Sequence, residues 1–142
     1  MATYTMNLSW NAKSDRDHYL WHLSNGAVVE ARLENGTHAP EFMDPEEAFI
    51  ASIASCHMLS FIAEAAKAGF AVVDYEDSPV AALGKNKRGR VFVERLLLIP
   101  RAGFAGETQP SDDDIAGFHK RAQDKCFISN SVLTEVKVEP RL

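Results

Sequence analysis

The chain has 142 residues, 46% of them hydrophobic and 25% charged, and its formal net charge is −5. Such a length and balance predict one globular domain, 1–142, with a core of its own. The acidic balance argues against a nucleic-acid partner, which asks for a basic face.

In chain order, TYTMNLSW (3 to 10) alternates as a strand does. HYLWHLSNGAVVEARL (18 to 33) reads as two strands around a Ser-Asn-Gly turn. ENGTHAPEFM is loop, punctuated by Gly36 and Pro40. A long helix then starts, with Asp44 as N-cap, Pro45 in the first helical position and Glu47 three after the cap. It runs to about Lys67, and Gly69 ends it. A helix this apolar on most sides is expected to be buried.

Residues 71 to 103 read as strands separated by turns, RVFVERLLLI being the clearest. The basic stretch GKNKRGR is a solvated hairpin tip. Ser111 caps a second helix with Asp114 three later, and Ile115, Phe118 and Ala122 form its apolar stripe. Cys126, eleven residues after Ile115, falls on the same face. SVLTEVKVEP (131 to 140) alternates as a last strand. The order predicts an α+β domain with a central buried helix.

The N-terminal residues show no basic segment followed by an apolar core, and no apolar run approaches the roughly 20 residues of a membrane span, so the expectation is a cytoplasmic protein with no membrane partner. In a reducing compartment two cysteines are not expected to form a permanent staple. They are too few for a Cys-only zinc site, and CxxC and HExxH spacings are absent, so no metal or bound cofactor is expected. A catalytic or redox pair remains open.

Cys56 sits among small residues in the first helix. Burial raises a thiol pKa, and a cysteine twelve residues past the N-cap gains nothing from the helix dipole. A thiolate there needs a cation. His57 is adjacent but faces elsewhere and reads as a partly exposed helix histidine; Lys67 reads as solvated. Arg16 keeps its charge in any environment and can grip a carboxylate with a planar fork. Lys13, Arg32 and Arg90 are possible substitutes.

DPEEAFIASIASC resembles the helix of the OsmC/Ohr hydroperoxide reductases, through Pro45, Glu46, Phe49, Ala54 and Cys56. CFISNSVLTEVKV is similar to the same family's second cysteine motif, through Cys126, Ser129 and Asn130. The resemblance implies an OsmC-like fold, antiparallel sheets around a long central helix, in an intertwined homodimer. It implies Cys56 as peroxidatic cysteine, Cys126 as resolving cysteine, Glu46 as helix carboxylate, and Arg16 with Asp17 as the activating pair. Around that pair the family's reductase branch has glycines, whereas this chain has SDRDHY. The implied chemistry is reduction of an organic hydroperoxide through a Cys56 sulfenate and a Cys56–Cys126 disulfide, regenerated by a small dithiol or lipoyl-type reductant. Apolar neighbours such as Phe49, Ile53, Phe127 and Trp21 suit an organic substrate.

Glu46 and Cys56, ten residues apart, are separated by about 15 Å along one helix and by roughly 80° around it. To serve one site, one of them must come from a second subunit; a monomer that wraps the helix in its own sheet is the alternative. Two other functions stay open: an OsmC-like domain that binds an apolar or acyl ligand with inert cysteines, and a thiol redox sensor without peroxidase turnover.

Overall fold

The computed structural model describes residues 2–13, 15–32 and 43–142; the side chains of residues 15–18 and 32 lie outside the described set. Its contacts cluster into two compact units, residues 1–49 and 50–142.

The first unit holds an antiparallel sheet in the order β1 (Met6–Asn11), β2 (Asp15–Leu23), β3 (Val28–Arg32). The Ser-Asn-Gly turn forms where the sequence places it. Gly26 adopts φ of +90°, a value open to glycine, and the Asn25 side chain accepts from the Ala27 N–H at 3.0 Å.

Helix α1 (Pro45–Lys67) begins in the first unit and continues into the second. Asp44 caps it, its Oδ1 accepting from the Glu47 N–H at 2.6 Å. Gly69, at φ of +89°, closes it: the Phe70 N–H reaches the Ala65 carbonyl and the Gly69 N–H that of Ala66, both at 3.0 Å. Only the stripe Ile53, His57, Phe61, Glu64 and Ala65 is buried. Among the described residues burial on most sides is therefore not found: Ala51, Ser52, Ser55, Leu59 and Ala63 are exposed. The expectation that no stretch is long and apolar enough to cross a membrane is also corrected. α1, 23 residues long, meets both criteria by length and composition. The reason is the alanine, isoleucine and phenylalanine content on its exposed and buried faces alike.

The second unit carries two sheets. β4 (Val72–Glu76) pairs antiparallel with β7 (Arg101–Phe104). β5 (Val80–Lys85) and β6 (Val91–Leu98) form a hairpin whose tip, residues 86–90, is exposed, as the basic stretch predicted. β8 (Glu135–Val138) joins β6 in parallel, one parallel pairing added to the antiparallel ones expected. The chain leaves β6 and returns by way of α2 (Asp112–Lys125), a crossover long enough to bring the last strand in with the same direction. The last strand is also shorter than the alternation implied, because Ser129–Ser131 form a 3-10 turn.

Both halves of the capping box of α2 are made: the Ser111 hydroxyl accepts from the Asp114 N–H, and the Asp114 carboxylate from the Ser111 N–H. Phe61 and Ala65 of α1 meet Phe118 and Ala122 of α2 to form the core. The Phe61 ring lies 5.6 Å from Tyr75, 6.0 Å from Phe118 and 6.2 Å from Phe104, tilted or edge-on to each. Each large side chain buried there stabilises the fold by about 1.5–3 kcal/mol. This core packs α2 against the second half of α1.

Candidate active site

That packing brings the two cysteines together. Cys56 is in the middle of α1 and Cys126 is the C-cap residue of α2; both thiols are free, and each is close enough to the other to shift its proton affinity. Cys126 has an extended backbone, with φ of −72° and ψ of 107°, so the chain turns there rather than continuing as helix. The turn aims amides at the sulfurs. Phe127 and Ile128 direct N–H groups at Cys56. Ser129 donates to the Cys126 sulfur twice, from its N–H at 3.4 Å and its hydroxyl at 3.2 Å. The Cys126 carbonyl accepts from the Asn130 N–H at 3.0 Å, which locks the loop.

These contacts make the two thiols unequal. Burial and the neighbouring Cys126 thiol push Cys56 above its ordinary range, against the two amides. Burial also acts to raise Cys126, but the Cys56 thiol, both Ser129 donors and the Ile128 amide outweigh it and hold Cys126 below its ordinary range. Of the two thiols, Cys56 therefore holds its proton the more firmly.

Arg16 lies on β2, with its side chain outside the described residues, as is that of Asp17. Glu46 occupies the exposed first turn of α1, about 15 Å along the helix from Cys56. Of the alternative cations, Lys13 and Arg90 are exposed, Arg32 has its side chain outside the described set, and Lys67 is engaged elsewhere. Ile53 is fully buried and Phe127 is exposed, while Phe49 and Trp21 belong to the first unit.

The OsmC-like protein family model matches residues 36–141, three quarters of the chain, with both cysteines and Glu46 inside the match and Arg16 outside it. This chain belongs to the OsmC-like family. No curated protein matches it. Among solved structures, an OsmC-like protein of unknown function from Vibrio cholerae is 32% identical, with a TM-score of 0.90 over 99% of this chain and 100% of that one. An OsmC-like protein from Mycoplasma pneumoniae is 14% identical, with a TM-score of 0.80 over 99% and 97%. The organic hydroperoxide resistance protein OhrB of Bacillus subtilis is 16% identical, with a TM-score of 0.71 over 99% and 100%. The last two show a shared fold.

Two features of this OsmC-like chain escape a reading of the sequence. His57 is not a partly exposed helix histidine: it is 1% exposed, and its Nε2 lies 2.9 Å from Nδ1 of buried His119. The rings are coplanar to 3°, and His119 stacks on Phe61 at 4.2 Å. Burial lowers both rings to about 4, helped at His119 by His57, so the pair is neutral and shares one N–H. The spacing held a signal, since His57 and Phe61 continue the stripe begun by Ile53, and His119 follows Phe118.

Glu64, 4% exposed, is the second feature. Lys125 and Lys67 bond its Oε1, and Arg121 donates to its Oε2 at 3.1 Å. The Lys125 bond foremost, then Lys67 and Arg121, holds its pKa down to about 2. A lone carboxylate in an apolar helix was the available signal. Its partners sit at the C-terminal ends of α1 and α2, where cations also oppose the helix dipoles. Among the described residues no group of three or more His, Cys, Asp or Glu is placed to hold a metal ion.

Proposed function

We propose that this OsmC-like protein is a thiol-dependent reductase of organic hydroperoxides, working in the cytoplasm as a homodimer. The observation that carries the reading is the pair of free thiols Cys56 and Cys126, near enough within one compact unit to shift each other's proton affinity. The fold shared with organic hydroperoxide resistance proteins supports it. The exposed apolar face of α1, with Leu59 63% exposed, supports a second copy as its cover.

In this scheme Arg16 of a partner subunit approaches Cys56, and Glu46 fixes the guanidinium through a charge-assisted hydrogen bond. The added cation favours the charged form, so Cys56 gives up its proton and becomes the thiolate. That thiolate attacks the outer peroxide oxygen; the O–O bond breaks, the alkoxide takes a proton and leaves as an alcohol, and Cys56 becomes a sulfenic acid. Cys126 displaces hydroxide from it, water departs and the disulfide forms. A dithiol or lipoyl-type reductant restores both thiols.

The test is turnover of cumene hydroperoxide and of hydrogen peroxide with dithiothreitol or dihydrolipoamide. The unsubstituted chain is expected to prefer cumene hydroperoxide and Cys56→Ser to be inactive. Intact mass after one equivalent of peroxide is expected to fall by two hydrogens, with a trapped sulfenate in Cys126→Ser. A chain that takes up no oxidant at Cys56 refutes the proposal.

The raised Cys56 pKa favours a second reading, a thiol redox sensor. It is distinguished by stoichiometric oxidation without turnover under excess dithiol.

A further inference from the structure

The surroundings of the two sulfurs are asymmetric in a way that orders the reductive half of the cycle. We infer that an external thiol attacks the disulfide at Cys56, that Cys126 is the departing sulfur, and that Ser129 is the positioning residue that receives it. This inference rests on the dithiol chemistry proposed above.

Access is the first argument. Cys56 is partly exposed, whereas Cys126 has no exposed surface. The open polar cleft of about 500 Å³ beside α2, lined by Lys120, Gln123, Ser129 and Asn130 among others, includes neither cysteine and opens no second route to the Cys126 sulfur. A nucleophile arriving from solvent therefore meets the Cys56 sulfur.

Stabilisation of the departing charge is the second. A disulfide sulfur leaves faster when its thiol has the lower pKa. The Ser129 N–H and hydroxyl both point at the Cys126 sulfur, and the loop that holds them is fixed by the Asn130 N–H on the Cys126 carbonyl and by the Ser131 hydroxyl on the Phe127 carbonyl at 2.6 Å. In the dithiol product both donors hold the Cys126 sulfur, so the departing charge is received by groups already fixed for it.

The step balances. The reductant thiolate forms a bond to the Cys56 sulfur, the Cys56–Cys126 bond breaks, and its electron pair leaves with Cys126. A second reductant thiolate then attacks the reductant's sulfur in the mixed disulfide and releases Cys56. The reductant's two protons end on the two protein thiols, and its two sulfurs leave as a disulfide.

The experiment begins with disulfide made by diamide, so that peroxide chemistry does not enter. A short exposure to 2-mercaptoethanol, an acid quench and peptide mass mapping are expected to place the adduct on Cys56. An adduct on Cys126, or a chain in which diamide forms no Cys56–Cys126 bond, overturns the inference. Ser129→Ala is expected to slow this reduction about tenfold and to raise the Cys126 pKa by about one unit in a Cys56→Ser background, read by thiolate absorbance. Ser129→Thr restores both. Ser129→Ala reduced at the unsubstituted rate also overturns it. If Ser129→Ala does not fold, the adduct position in the unsubstituted protein still decides. Absence of peroxide turnover, with the adduct on Cys56, refutes the peroxidase reading alone.

Discussion

Acidification from pH 7 to pH 5 is expected to weaken this fold through the buried His57–His119 pair. Each ring has its pKa lowered to about 4, against an ordinary value of 6.5 in the unfolded chain. Between those values the unfolded chain binds protons that the folded chain refuses. Stability is therefore full above pH 6.5 and is lost as the pH falls from 6.5 toward 4. At pH 5 one ring forfeits about 2 kcal/mol and two forfeit at most about 4 kcal/mol. A domain stability of about 5–15 kcal/mol makes that a large fraction. The assay is urea denaturation followed by far-UV circular dichroism, where the midpoint is expected to drop by about 1–2 M. His57→Leu combined with His119→Phe removes both titrations and keeps the space filled with apolar atoms. Its midpoint is expected to be insensitive to pH over this range. The double variant also isolates the pair from Asp77, whose pKa is raised by burial and which therefore acts with the opposite sign. An unsubstituted chain equally stable at both pH values, or a double variant that loses as much as its parent, refutes the reasoning.

Glu64 is expected to act in a lower window: with its pKa depressed from 4.5 to about 2, its contribution is present above pH 4.5 and is lost as the pH falls toward 2. Glu64→Gln is expected to be less stable at pH 7 and to lack that acid branch in the same denaturation series. Phe61→Ala, at a fully buried position, is expected to cost about 3–5 kcal/mol by urea titration. Ser111→Ala removes one side of the α2 capping box, costs about 1 kcal/mol, and is read as a small fall in melting temperature. Leu59→Glu, on the exposed face of α1, is expected to turn the proposed dimer into a monomer by light scattering while leaving helix content unchanged.

Several features of this chain were already determined by its residues in order. The Asp44 cap, the Gly69 stop, the Ser111–Asp114 box and the Ser-Asn-Gly turn each depend on contacts among residues within about five positions, which a linear reading contains. The two motifs around Cys56 and Cys126 likewise point to the family that the comparison shows. Other features belong to the tertiary structure. His57 meets His119 across 62 residues, Glu64 meets Lys125 across 61, and β8 lies parallel to β6 because of where the α2 crossover delivers it. The same distinction governs the thiols. Their identity is local, but which of them holds its proton more firmly depends on amides and a hydroxyl that the C-terminal turn of α2 aims at them, and such electrostatics exist only once the helices are packed.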